Sequence, residues 1–209
     1  MRPSVDSSGA LCQNVLQAEA QAAVHKLQYL TIGWMCVEFS VALVAGIDAH
    51  SVSLTAFGAD SLIELLSAVV VLRRIQVGPS TERAAARINA ILLYALALYI
   101  VCTSGFFLWN GRFDARPSAA GMVLLVAAAI IMPSLGSMKK RKAIETRNAS
   151  LRADAAQSNL CAYMSWIALA GLAINGVFHL PWADCAAALC LLPIVIREAN
   201  EARKGEVCH

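Results

Sequence analysis

Two short stretches of this sequence hold most of the ionisable groups that lie inside apolar runs. The first is Asp60-Ser-Leu-Ile-Glu64, where a spacing of four residues puts both carboxylates on one face of a helix. Like charges this close in an apolar surround repel unless protons or a cation neutralise them. The second is Arg152-Ala-Asp154-Ala-Ala-Gln157-Ser-Asn-Leu-Cys161, in which Asp154, Gln157 and Cys161 follow the i, i+3, i+7 stripe of a single helical face. Packed together, the two faces offer two carboxylates, an amide oxygen and a sulfur, enough donors for four-coordinate binding of a divalent metal. A sulfur among oxygens favours zinc, cadmium or another softer ion over magnesium or calcium.

Each of these residues also has a plainer reading. A carboxylate pair four apart serves equally as a structural hydrogen-bonding or proton-relay site, and a single cysteine on a helix is more often a small buried hydrophobe. Asp154 is read first as a cap at the start of its helix, where the backbone dipole favours a carboxylate, and second as an auxiliary to the metal site. Glu38, unpaired in its own stretch, is a weaker auxiliary candidate, and Asp184 reads as a helix-start residue. Cys36, Cys102, Cys185 and Cys190 read as packing residues. Asp48, His50 and His179 form a cluster only if their loops meet.

The elements that carry these residues are set by composition. Of 209 residues, 58% are hydrophobic and only 15% charged, against about 45–50% and about 25% for a soluble domain. Six stretches are apolar over about the 20 residues that a bilayer core requires: Leu27–Gly46, Ser51–Leu72, Ile88–Trp109, Ala119–Met138, Ala153–Gly176 and Leu180–Ile196. The expected fold is an all-α membrane protein, a six-transmembrane-helix bundle. Residues 1–26 read as a cytoplasmic amphipathic arm, 27–197 as the membrane domain and 198–209 as a short cytoplasmic tail. The first 17 residues lack the apolar core and small-residue cleavage site of a signal peptide, so none is expected.

Charge gives the orientation. Of the 17 Lys and Arg residues, all but Arg112 and Arg116 fall at the N-terminus, at the C-terminus, or in the connections after the second and fourth stretches. Basic residues in short loops stay cytoplasmic, so both termini are expected inside, with loops near Asp48, Asn110 and Phe178 outside. The net charge of +3 is too small to suggest nucleic-acid binding. Seven cysteines without a C-x-x-C pair give neither a disulfide framework nor a zinc or redox motif. The sequence contains no Ser/His/Asp set, metalloprotease motif or phosphate-binding glycine loop, so an enzyme is not expected.

Three segments together resemble the membrane domain of the cation diffusion facilitator family. They are Ser51-Val-Ser-Leu-Thr-Ala-Phe-Gly-Ala-Asp60-Ser-Leu-Ile-Glu64, Arg152-Ala-Asp154 with its polar stripe, and Trp182-Ala-Asp184-Cys-Ala-Ala-Ala. The resemblance extends from Leu27 to Ala202 and implies six spans with both ends inside. It implies export of zinc or a similar divalent cation in exchange for protons, through a tetrahedral site formed by two residues four apart on the second span and two on the fifth. Carried across by motif, these are Asp60, Glu64, Gln157 and Cys161. Glu64 stands where the family commonly has Asp, and Gln157 and Cys161 stand where it usually has His and Asp. The family's cytosolic metal-binding domain is expected to be missing, as is an accessory site in the loop from Arg74 to Arg87, which holds no His or Cys.

The expected function is therefore proton-coupled efflux of a divalent metal by alternating access, with zinc first. The metal is cargo, and no permanent cofactor is expected. Transport of softer ions such as cadmium, mercury or copper is one alternative, and a membrane metal sensor or accessory protein that does not transport is another. The expected partners are the metal ion, protons, the lipid bilayer and a second copy of the chain. Such a homodimer would be held through membrane helices by small residues such as Gly105, Gly121, Gly136, Gly171 and Gly176. The expected location is a bacterial inner (plasma) membrane.

Overall fold

The computed structural model describes residues 7–77, 82–111, 115–146 and 149–204. They form six helices: α1 Ser7–Asp48, α2 Val52–Val77, α3 Glu82–Asn110, α4 Ala119–Thr146, α5 Ala149–Phe178 and α6 Trp182–Lys204. No strand occurs among the described residues. The expected arm and first apolar stretch form one unbroken helix, and α6 continues past the expected end of the membrane domain at residue 197. Of the basic residues used above, Arg2, Arg112 and Arg147 lie outside the described residues.

Among the described residues, four helical segments are long and apolar enough to cross a membrane: Ala22–Asp48, Ala90–Asn110, Ala119–Thr146 and Asp154–Phe178. Their outward faces carry Leu30, Val44, Leu98, Val123, Ile130, Trp166 and Val177, all exposed. A bundle with apolar side chains outside as well as inside is matched to hydrocarbon, where helices satisfy their own backbone groups. Hydroxyls at two positions within the helices are satisfied locally: Thr31 and Ser134 each donate to the carbonyl four residues earlier, at 2.9 and 3.1 Å.

Local signals explain where the helices stop. After α1, α3 and α5 the chain enters the left-handed region at His50 (φ 50), Gly111 (φ 62) and His179 (φ 53). This conformation ends a helix by turning its last carbonyls toward new partners. Ser51 and Ser118 then cap α2 and α4, their hydroxyls accepting from the Leu54 and Gly121 amides, both at 3.1 Å. These three connections meet at one end of the bundle. The Arg116 amide donates to the Ala49 carbonyl at 2.8 Å, and the Asn175 side chain donates to the Ala115 carbonyl at 2.9 Å.

The acidic helix α2 packs against α1, α3, α5 and α6. Its first half is almost wholly buried, with Leu54, Ala56 and Phe57 completely enclosed. Gly58 permits the α1 crossing: a Cβ there would lie 3.0 Å from the Leu43 amide nitrogen and 3.1 Å from the Ala42 side chain. That close approach brings Ser61, one turn along α2, to Glu38, one turn back along α1.

The glycines expected to hold a dimer are mostly used within the chain. A Cβ at Gly121, Gly136 or Gly171 would collide with Leu54, Asn159 or Ala187 respectively. Gly105 has open space around it, and Gly176 has only Pro117 nearby.

Candidate metal centre

Asp60 and Glu64, one turn apart, face α5, where Cys161 stands opposite. One ligand atom from each of the three residues lies within 4.8 Å of the other two. All three side chains are buried, at 1%, 2% and 0% exposure. Around a zinc ion with Zn–O of about 2.0 Å and Zn–S of about 2.3 Å, such ligand atoms stand roughly 3.3–3.5 Å apart. A small side-chain adjustment is therefore enough for the three to share one ion.

Their hydrogen bonding is incomplete. Both Asp60 oxygens and Oε2 of Glu64 are buried without a hydrogen-bond partner. A buried carboxylate without donors is costly unless it is protonated or bound to a cation. The surroundings add further acids. Glu64 lies in the fields of Asp60, Glu198 and Glu38, with Lys139 as the opposing charge. Among the described residues the buried acids are Glu38, Asp60, Glu64, Asp154, Asp184 and Glu198, and Lys139 is the single buried base. The interior therefore holds more negative than positive groups, and the excess centres on Asp60 and Glu64.

The remaining residues singled out in the sequence fall into place around this cluster. Glu38 of α1 is fully buried, and its Oε1 accepts from the Ser61 hydroxyl at 2.9 Å and from the Cys161 thiol at 3.3 Å. Gln157 is partly buried, and its side chain bonds to Glu198 of α6. Cys185 is buried, whereas Cys36, Cys102 and Cys190 are exposed on the bundle's outer faces rather than packed in its core. Asp48, His50 and His179 do not form a ligand group; Asp60, Glu64 and Cys161 are the one such group among the described residues.

One expectation is corrected and another extended. Asp154 does not cap α5: it lies beyond the first turn, 5% exposed, and forms an ion pair with Lys139 Nζ at 3.0 Å. That ammonium also donates to the Ser158 hydroxyl at 2.9 Å. Asp184 does lie in the first turn of α6, but its carboxylate caps α2. It accepts from the Ser51 and Ser53 hydroxyls at 2.6 and 2.5 Å and from the Val52 and Ser53 amides at 2.7 and 3.4 Å. This clamp fixes the start of the acidic helix to α6.

Sequence reasoning missed Lys139, Glu198 and Ser61. Lys139 sits at the head of a basic run and was counted with it. It nonetheless continues the buried α4 stripe of Leu125, Ala128, Met132 and Leu135 at helical spacing, and that periodicity is the signal that could have found it. Glu198 likewise extends the buried α6 stripe of Ala188, Leu191 and Val195. No protein-family model matches the chain, and no curated protein matches it.

Proposed function

We propose that this protein exports a divalent transition-metal cation, zinc first, in exchange for protons by alternating access, in the manner of the cation diffusion facilitators that its motifs resemble. The observation that carries this reading is the convergence of Asp60, Glu64 and Cys161, three buried potential ligands with unpartnered oxygens, at one point. In this reading all six helices span the membrane, with both termini cytoplasmic. The basic residues of the sequence support that orientation. A bacterial plasma membrane is the proposed location, and a homodimer through exposed helix faces, such as that around Gly105, is the proposed assembly.

The chain's own groups supply the coupling. Metal binding requires deprotonated carboxylates and a thiolate, so cation uptake releases protons and cation release takes them up. A free thiol titrates near 8.5, and a bound metal removes its proton outright. Affinity should therefore fall as the pH falls. Pro133 removes one backbone donor from α4, a place where the helix can bend between access states.

Cys161 favours one second reading within the same class, a cargo softer than zinc such as cadmium. Metal-driven proton movement in proteoliposomes tests both. Zinc, cadmium and cobalt are compared for the wild-type protein and Asp60→Ala, and Asp60-dependent flux is expected, with the ions ranked by rate. Binding that depends on Asp60 without any flux would replace the transporter with a membrane sensor or accessory protein.

A further inference from the structure

We infer that Glu38 of α1 is the fourth ligand of the metal site, so that α1, α2 and α5 together build a shell of three carboxylates and one thiolate. This rests on the proposal that Asp60, Glu64 and Cys161 hold a cation. Three donors leave a tetrahedral ion one short. Glu38 stands against the cluster, fully buried, its carboxylate reached by the Ser61, Cys161 and Trp34 side chains.

The distance from Glu38 to the sulfur is compatible with that role. Oε1 of Glu38 lies 3.3 Å from Cys161 Sγ. With Zn–S of about 2.3 Å and Zn–O of about 2.0 Å, the sulfur–oxygen edge of a tetrahedral zinc site is about 3.5 Å. The thiol-to-carboxylate hydrogen bond thus holds the two atoms close to that spacing. A thiolate and a carboxylate left side by side would repel, whereas a cation between them binds both. The resulting formal ligand charge equals that of the familiar four-cysteine zinc sites. Ser61 acts as an outer partner, since its hydroxyl donates to Oε1 at 2.9 Å and fixes the carboxylate. Gln157, beside Glu198, is not needed to complete the shell.

Cobalt(II) titration of the full-length protein in detergent tests this, because cobalt reports its geometry through visible ligand-field bands and its sulfur ligand through a near-ultraviolet charge-transfer band. Wild-type protein should show intense four-coordinate bands together with the thiolate band. Glu38→Gln, which keeps side-chain shape and the oxygen facing Ser61, should weaken the ligand-field bands and lower affinity by more than the roughly 10–100-fold typical of an outer-shell loss, while the thiolate band survives. Ser61→Ala leaves every ligand in place and should cost about 10–100-fold. A Glu38→Gln protein with wild-type affinity and spectrum overturns the assignment, as does an unaffected Ser61→Ala protein if Glu38→Gln fails to fold. Asp60→Ala separates this from the parent reading: if it leaves the cobalt spectrum intact, the metal site itself is wrong, whatever Glu38 does.

Discussion

Replacing Lys139 with methionine removes the one buried base among the described residues while preserving most of the side chain's apolar length. The ammonium is fully buried, 3.0 Å from an Asp154 carboxylate that is itself 4% exposed, and it donates to Ser158 at 2.9 Å. Breaking a buried pair from one side leaves an uncompensated charge and costs about 3–5 kcal/mol, whereas replacing both members with apolar groups is often neutral or stabilising. With both groups buried, solvent screening does not reduce that figure. Lys139→Met should therefore lower the folding equilibrium by a factor of roughly 10²–10⁴. Asp154→Leu should cost less, because a lysine's long stem can carry its charge toward an interface. The double variant should recover most of the loss. Unfolding in mixed micelles followed by helical circular dichroism, run as a double-mutant cycle, gives the coupling directly. A Lys139→Met loss below about 1 kcal/mol, or a double variant as damaged as the two singles combined, would refute the argument that this pair is a closed, mutually dependent unit.

Two other perturbations probe separate parts of the structure. Asp184→Asn puts an amide group among the four donors that now converge on a carboxylate; hydrogen bonds to a charged group contribute about 1.5–3 kcal/mol each, so a loss of about 3 kcal/mol is expected. Amide exchange at Val52 should accelerate with it, and unchanged exchange would mean that the clamp does not hold α2. Cys161→Asp turns the site into an all-oxygen shell and should shift preference from cadmium toward zinc in a competition assay; the same ranking as wild type would show that the sulfur does not touch the ion.

The parts of the site visible in the sequence were those written in local spacing. The spacing of four from Asp60 to Glu64 defines a helical face whatever surrounds it, and Cys161 lies on the polar stripe of its own helix. The helices were legible for the same reason, since an apolar run of the right length leaves few other structures open to it. Relations between helices were not legible. Asp184 looked like a local feature of α6 because nothing in its neighbourhood shows that the start of α2, more than 130 residues earlier, supplies its donors. Asp154 looked like a cap because its partner Lys139 was hidden at the head of a basic run. Glu38 looked unpaired because Ser61 and Cys161 reach it only through packing, which depends on the close approach at Gly58.

The central claim is that Asp60, Glu64 and Cys161 hold one divalent cation, and counting bound metal at equilibrium tests it most directly. Purified protein dialysed against zinc should retain one ion per chain, lost in Asp60→Ala and in Glu64→Ala while both variants keep wild-type helical content. Stoichiometric zinc in either folded variant, or none in the wild-type protein, would contradict the account.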